Sequence, residues 1–164
     1  MSPLNQSYVY VGLGSEGGRE GHGLYRRTVG NGAWELTIHG LPQDSDVRVI
    51  AIDPTNPAVL YAGVQDGAYR SDDRGDHWER LDLPGDPVMI WSFTFHPQTP
   101  QVLYAGGEET SLFRSEDGGK HWELMPINVT YPSVTMTPRE LPKRILSLAV
   151  DPNRLGEMYA AVEV

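Results

Sequence analysis

The sequence predicts an all-β protein: a β-propeller of four-stranded antiparallel blades, with about three and a half blades present in this chain. Three observations carry that expectation. The octet Ser71-Asp72-Asp73-Arg74-Gly75-Asp76-His77-Trp78 returns as Ser115-Glu116-Asp117-Gly118-Gly119-Lys120-His121-Trp122, both obeying S-x-D-x-G-x-x-W. The spacing is fixed, with Trp78 and Trp122 44 residues apart and Tyr61 and Tyr104 43 apart, and such a period is one supersecondary unit repeated. Finally, 18 Gly and 13 Pro punctuate short aromatic and β-branched runs, as tight turns between many short strands require.

Taken in order, each unit offers four strands, A to D. Tyr8-Val9-Tyr10-Val11-Gly12 alternates as a strand does and is matched by Leu60-Tyr61-Ala62-Gly63, Leu103-Tyr104-Ala105-Gly106 and Met158-Tyr159-Ala160-Ala161, the B strands. The C strands are Gly23-Leu24-Tyr25-Arg26, Ala68-Tyr69-Arg70 and Leu112-Phe113-Arg114. The octet follows, and then the D strands open on Trp34, Trp78 and Trp122. In the first copy the octet is degraded: Arg27, Val29 and Asn31 stand where Ser, Asp and Gly are expected. The A strands precede a Pro turn: Val47 to Ile52 before Asp53-Pro54, Ile90 to Phe95 before His96-Pro97, and Ile145 to Val150 before Asp151-Pro152. Apolar residues on both faces mark strand A as the innermost, two-sided strand.

The expected organisation is one partial propeller over 1–164. Blade 1 supplies strands B to D (8–39), blade 2 spans 46–83, blade 3 spans 88–126, and a fourth blade starts at 143–164. A long insertion occupies 127–142. Because an open half-ring exposes strand edges, the remaining blades are expected from further sequence or from a second chain.

Within the octet, Ser and Asp side chains accept from backbone N–H groups just ahead, Gly75 and Gly119 supply positive φ, and Trp78 and Trp122 anchor the corner to the core. Ser71, Asp73, Ser115 and Asp117 are therefore architectural, since a single active site has no use for a copy in every repeat. These octets resemble the Asp-box, or BNR, repeat of sialidases, sortilin-type receptors, some glycoside hydrolases and photosystem II assembly factors. The resemblance implies a propeller of the YVTN- and WD40-like kind, with the box on the face away from the ligand. It does not imply one activity, because fold-mates of this kind do unrelated things.

In a four-stranded blade the A–B and C–D turns share one end, the bottom, and the B–C and D–A connections share the other. Length variation here is confined to the top, where a rigid scaffold places function. Glu16, Arg19 and His22 lie in the Gly-rich first B–C connection, and Tyr131 and Arg139 in the insertion. Asp66 and Glu109 lie in the later B–C turns, and Arg48 and Trp91 occupy matched positions at the top of strand A. His22, Arg19, Arg48, Trp91, Tyr131 and Arg139 are the expected ligand contacts, and Glu16, Asp66 and Glu109 are candidate catalytic carboxylates on the same face.

A net charge of −9 argues against nucleic acid or an anionic membrane as the partner. No apolar run is long enough to span a bilayer, and Met1 to Ser7 has no basic or apolar signal region, so a cytoplasmic setting is expected, with a mature fragment of an exported protein as the alternative. With no cysteine there is no thiolate site, and the five histidines form no H-E-x-x-H. No phosphate loop, EF-hand or G-x-S-x-G elbow occurs. No cofactor or metal is expected. The F-R-I-P motif of sialidases is absent. A glycosidase would need two facing carboxylates about 5–5.5 or 6.5–9.5 Å apart. The leading expectation is a propeller that binds a small molecule, glycan or protein on its top face without catalysis. Carbohydrate hydrolysis is the alternative.

Overall fold

A computed structural model describes residues 6–14, 22–30, 32–127 and 143–163. Its thirteen strands are β1 (Tyr8–Leu13), β2 (Gly23–Thr28), β3 (Glu35–Leu36), β4 (Val49–Ile52), β5 (Leu60–Val64), β6 (Gly67–Ser71), β7 (Glu79–Arg80), β8 (Ile90–Phe95), β9 (Leu103–Gly107), β10 (Leu112–Ser115), β11 (Glu123–Leu124), β12 (Arg144–Val150) and β13 (Met158–Glu163). They form four antiparallel sheets in chain order: β1-β2-β3, β4-β5-β6-β7, β8-β9-β10-β11 and β12-β13. This is a partial propeller of the expected kind. Among the described residues there is no helix, so none is long and apolar enough to cross a membrane.

The D strands are shorter than their sequence suggests. Only two residues of each pair with strand C, and both side chains are exposed. The tryptophan ahead of each leaves the ladder to pack sideways. Trp78 N donates to His39 O at 2.9 Å and its indole Nε1 to Thr37 O at 3.2 Å, so the second blade's corner is pinned to the first blade's last strand. Trp78 is 3% exposed, whereas Trp34, with no blade described before it, is 44% exposed.

The core therefore lies between sheets as much as within them. Leu24, Leu41, Val47, Leu60, Tyr69 and Trp78 pack together across blades 1 and 2. Tyr61, Leu103, Phe93 and Trp122 do the same across blades 2 and 3, with the Tyr61 and Phe95 rings edge to face at 5.7 Å. Small residues permit the approach: a Cβ on Gly63 would stand 2.4 Å from Ile90 O, and one on Gly106 2.6 Å from Ile145 Cγ2. The inner strands are less covered than their two-sided apolar pattern suggests. β4 is partly exposed, whereas β8 holds Ile90 and Ser92 buried and β12 holds Ile145 and Leu148 buried.

One hydrogen bond repeats at two of the sheet interfaces. Tyr10 Oη donates to Arg74 O at 3.0 Å, and Tyr61 Oη donates to Gly118 O at 2.8 Å. Each tyrosine stands opposite an arginine on the neighbouring strand, Tyr10 beside Arg26 and Tyr61 beside Arg70. Arg26 Nη1 also donates to Arg74 O, at 2.9 Å, and its guanidinium pairs with Asp76 at 2.5 Å. The accepting residues have left-handed backbones, Arg74 at φ 63° and Gly118 at φ 71°. That conformation turns their carbonyls out of the octet toward the preceding blade.

Candidate functional site

The two octets are closed hydrogen-bonded corners at the bottom. Ser71 Oγ donates to Asp73 Oδ1 (2.8 Å) and accepts from Gly75 N (2.8 Å), while Asp73 Oδ1 accepts from His77 N (2.9 Å) and Oδ2 meets His77 Nδ1 (2.7 Å). The second corner repeats this with Ser115, Asp117, Gly119 and His121 at distances within 0.1 Å. There the Trp122 indole donates to Gly119 O at 2.9 Å. The His121 ring and backbone N–H, with the Ser115 hydroxyl, hold the Asp117 carboxyl well below the usual range, outweighing a small burial effect. Burial works to raise Asp73, yet bonds from the His77 backbone and ring and from Ser71 prevail and lower it. Both carboxylates are thereby engaged by the donors of their own turn.

At the top, the residues collect differently. Arg48 and Arg144 lie over the Trp91 ring, their guanidinium carbons 4.7 and 4.5 Å from its centroid. Such stacking contributes on the order of 0.5–2 kcal/mol per cation when partly desolvated. Acids hold the cations in place: Asp46 on Arg48, Glu108 at 3.5 Å and Glu163 at 3.2 Å on Arg144. Gln65 bonds both Asp46 N (2.7 Å) and Asp44 O (3.1 Å), stapling the blade 2 turn to the start of strand A. Gly14 sits directly on this pair, since a Cβ there would lie 2.5 Å from Asp46 Oδ1. At the other end of the same connection, next to His22, Gly23 N donates to Ser45 O at 2.8 Å. Three nitrogens of this stack are buried without a hydrogen-bond partner, Arg48 Nε, Trp91 Nε1 and Arg144 Nε, the last 3.5 Å from Glu108, and His22 Nδ1 is in the same state.

Local sequence explains the convergence. Trp91 falls at a register shift between Ile90 and Ser92, and Leu146 at the matching shift between Ile145 and Ser147. A bulge of this kind re-aims a side chain out of the alternating pattern. Arg144 was not among the expected contacts, because it precedes the aligned column by two residues. The acids beside it and its bridge to Glu108 bring it there.

The remaining expected positions are scattered. Asp66 Oδ2 accepts from Tyr69 Oη at 3.1 Å, and Arg80 Nη2 donates to Asp66 O at 2.7 Å. Burial, and then the Asp66 charge, push the Tyr69 phenol up to about 12. Asp66 and Arg80 border a cleft of about 110 Å³ with Asp82 and Asp86. Glu109 is exposed in a left-handed turn at φ 53°, on a different blade. Glu16, Arg19, Tyr131 and Arg139 lie outside the described residues, as does most of the 127–142 insertion. Among the described residues no group of three His, Asp or Glu could hold a metal ion.

Comparison with known proteins agrees with this architecture. The Sortilin-Vps10 family model, described as sortilin, neurotensin receptor 3, matches residues 30–159. The chain belongs to the Sortilin-Vps10 family. No curated protein matches it in sequence. Two crystal structures share the fold of this Sortilin-Vps10 chain. The extracellular domain of a one-component system from B. thetaiotaomicron superposes with TM-score 0.66 at 20% identity, covering 94% of this chain. An ancestral GH74 enzyme does so with TM-score 0.62 at 22% identity, covering 84%. The chain spans 18% of the length of each.

Proposed function

We propose that this Sortilin-Vps10 chain is a recognition module, without catalysis of its own, that binds a ligand or partner protein through its top rim around Trp91. The observation that carries this reading is the set of unpartnered nitrogens beside the Arg48–Trp91–Arg144 stack. Leaving such groups buried and unsatisfied costs about 1–3 kcal/mol each, and folded proteins keep few of them. An oxygen acceptor on a ligand would satisfy them. Since two arginines already stack on the Trp91 ring, its N–H edge rather than its ring would meet that ligand. The bottom corners, with their carboxylates engaged, offer no competing site.

Hydrolysis is the second reading, and the fold shared with an ancestral GH74 enzyme is what keeps it in view. Asp66 and Glu109 sit on turns of different blades, one bonded to Tyr69 and the other exposed in a turn. Neither arrangement supplies a paired acid and base.

The test is a panel of peptides and oligosaccharides measured by calorimetry against the full chain. Trp91→Phe, which keeps the ring and removes the N–H, is expected to weaken a top-face ligand about five- to tenfold without changing Tm. Turnover of an oligosaccharide that disappears in Asp66→Asn would replace the recognition reading with the hydrolytic one.

A further inference from the structure

The blade 2 turn that carries Asp66 departs from the repeat. Arg80 stands opposite Tyr69 across β6 and β7, whereas the matching pairs are Tyr25 with Leu36 in the first blade and Phe113 with Leu124 in the third. From this position Arg80 donates to Asp66 O and ties the B–C turn to strand D. That turn and the D–A connection after β7 line the cleft of about 110 Å³. Residues shared by every repeat serve architecture, so a set found in one blade only, on the loop-rich face, is open to another use.

Three features describe what the cleft would hold. Asp66, Asp82 and Asp86 line it against one cation, Arg80. Asp82 and Asp86 are exposed and engage no cation or hydrogen-bond donor among the described residues. Asp66 Oδ2 accepts from Tyr69, but its Oδ1 is buried with no hydrogen-bond partner. A buried carboxylate oxygen is costly to leave unpaired, and a cationic donor satisfies it best. Leu83 and Val88, packed on the core between blades 2 and 3, supply an apolar wall. The volume admits about three or four water-sized groups, each of roughly 30 Å³.

We propose that this cleft binds the ammonium end of a lysine side chain presented by a partner polypeptide. A metal ion is not matched, since no group of three His, Asp or Glu among the described residues could hold one. A guanidinium pairs best with two free oxygens in a fork, and Asp66 has one to give. An ammonium is a compact charge with three donors. It meets Asp66 Oδ1, draws on the charge of Asp82 and Asp86, and lays its methylenes along Leu83 and Val88. The cleft shares no lining residue with the Trp91 rim, and the inference does not rest on that reading.

The probe is Nα-acetyl-lysine methylamide, titrated into the isotope-labelled full chain and followed by NMR at the amides of Gly67, Leu83 and Gly85. Saturable shifts at these residues are expected, in the millimolar range for so small a fragment. Acetylating the side-chain amine, which removes its charge, should abolish them. Asp66→Asn should weaken binding about tenfold, while its amide oxygen still accepts from Tyr69. If that variant does not fold, Asp82→Asn combined with Asp86→Asn, both at exposed positions, should weaken binding about threefold. No saturable shift, equal binding of the acetylated probe, or unchanged affinity in the variant measured would overturn the proposal. Tighter binding of the arginine analogue would overturn it too, giving the cleft to a guanidinium.

Discussion

Tyr61 donates its hydroxyl proton to the carbonyl of Gly118, 57 residues further along the chain, at 2.8 Å. Both residues come from repeat positions, yet the bond joins different blades. The octet thus closes on itself through its serine and aspartate and projects one carbonyl outward for its neighbour. Glycine and aspartate in the sequence serve the first task, and a tyrosine some 57 to 64 residues earlier serves the second.

Removing that hydroxyl strands a part-buried carbonyl. Tyr61→Phe should therefore cost about 1–2 kcal/mol in urea unfolding. Tyr10→Phe should cost less, because Arg26 also donates to Arg74 O and keeps that acceptor satisfied. Equal losses in the two variants would show that the bond is not what couples the blades.

Arg74 holds a left-handed backbone that the second corner assigns to Gly118. A side chain in that region costs roughly 1–2 kcal/mol. Arg74→Gly should recover up to about 1 kcal/mol, the greater freedom of glycine in the unfolded chain offsetting the remainder. Thermal unfolding of the variant checks the sign.

Gly63→Ala would place a methyl 2.4 Å from Ile90 O, against backbone that cannot rotate away. A loss of about 1–3 kcal/mol is expected from overpacking. A Tm at or above that of the parent would mean that blades 2 and 3 can slide apart at no cost.

The corner aspartates set an acid limit on stability. The carboxyls of Asp73 and Asp117 lie below their ordinary value of 3.8 in the folded chain. Their contribution is then complete above that value and fades as the pH falls through it toward the lower folded one, because the unfolded chain takes up protons first. Asp117→Asn should be less stable than the parent near pH 6, and the difference should shrink on acidification to about pH 2.5. A gap that is constant with pH would assign the loss to geometry rather than charge.

Much of the fold was legible because propellers repeat. The Tyr-Ala-Gly, Phe/Tyr-Arg and Trp-Glu signatures each mark a strand, and the sheets follow that order. Arg48 and Trp91 could be picked out as unlike core residues. Arg144 could not, since its place over Trp91 depends on two register shifts that leave no mark in the apolar pattern. The tyrosines served as markers of periodicity, and their hydroxyls gave no hint of a partner in the next blade. A bond between repeats is invisible to a comparison that aligns repeats with one another. The engagement of Asp66 by Tyr69 was hidden for a simpler reason: Asp66 lies in the two-residue turn between Val64 and Gly67, and its carboxylate meets a hydroxyl only three residues on.

Because every tie described here runs between a sheet and the one beside it, cohesion is shared only with adjacent members, as in other tandem architectures. The second and third sheets are gripped from both directions, and the first from one. Amide exchange should accordingly be slow along β5 and β9, and a change that loosens one of these two sheets should be felt first in the sheet beside it.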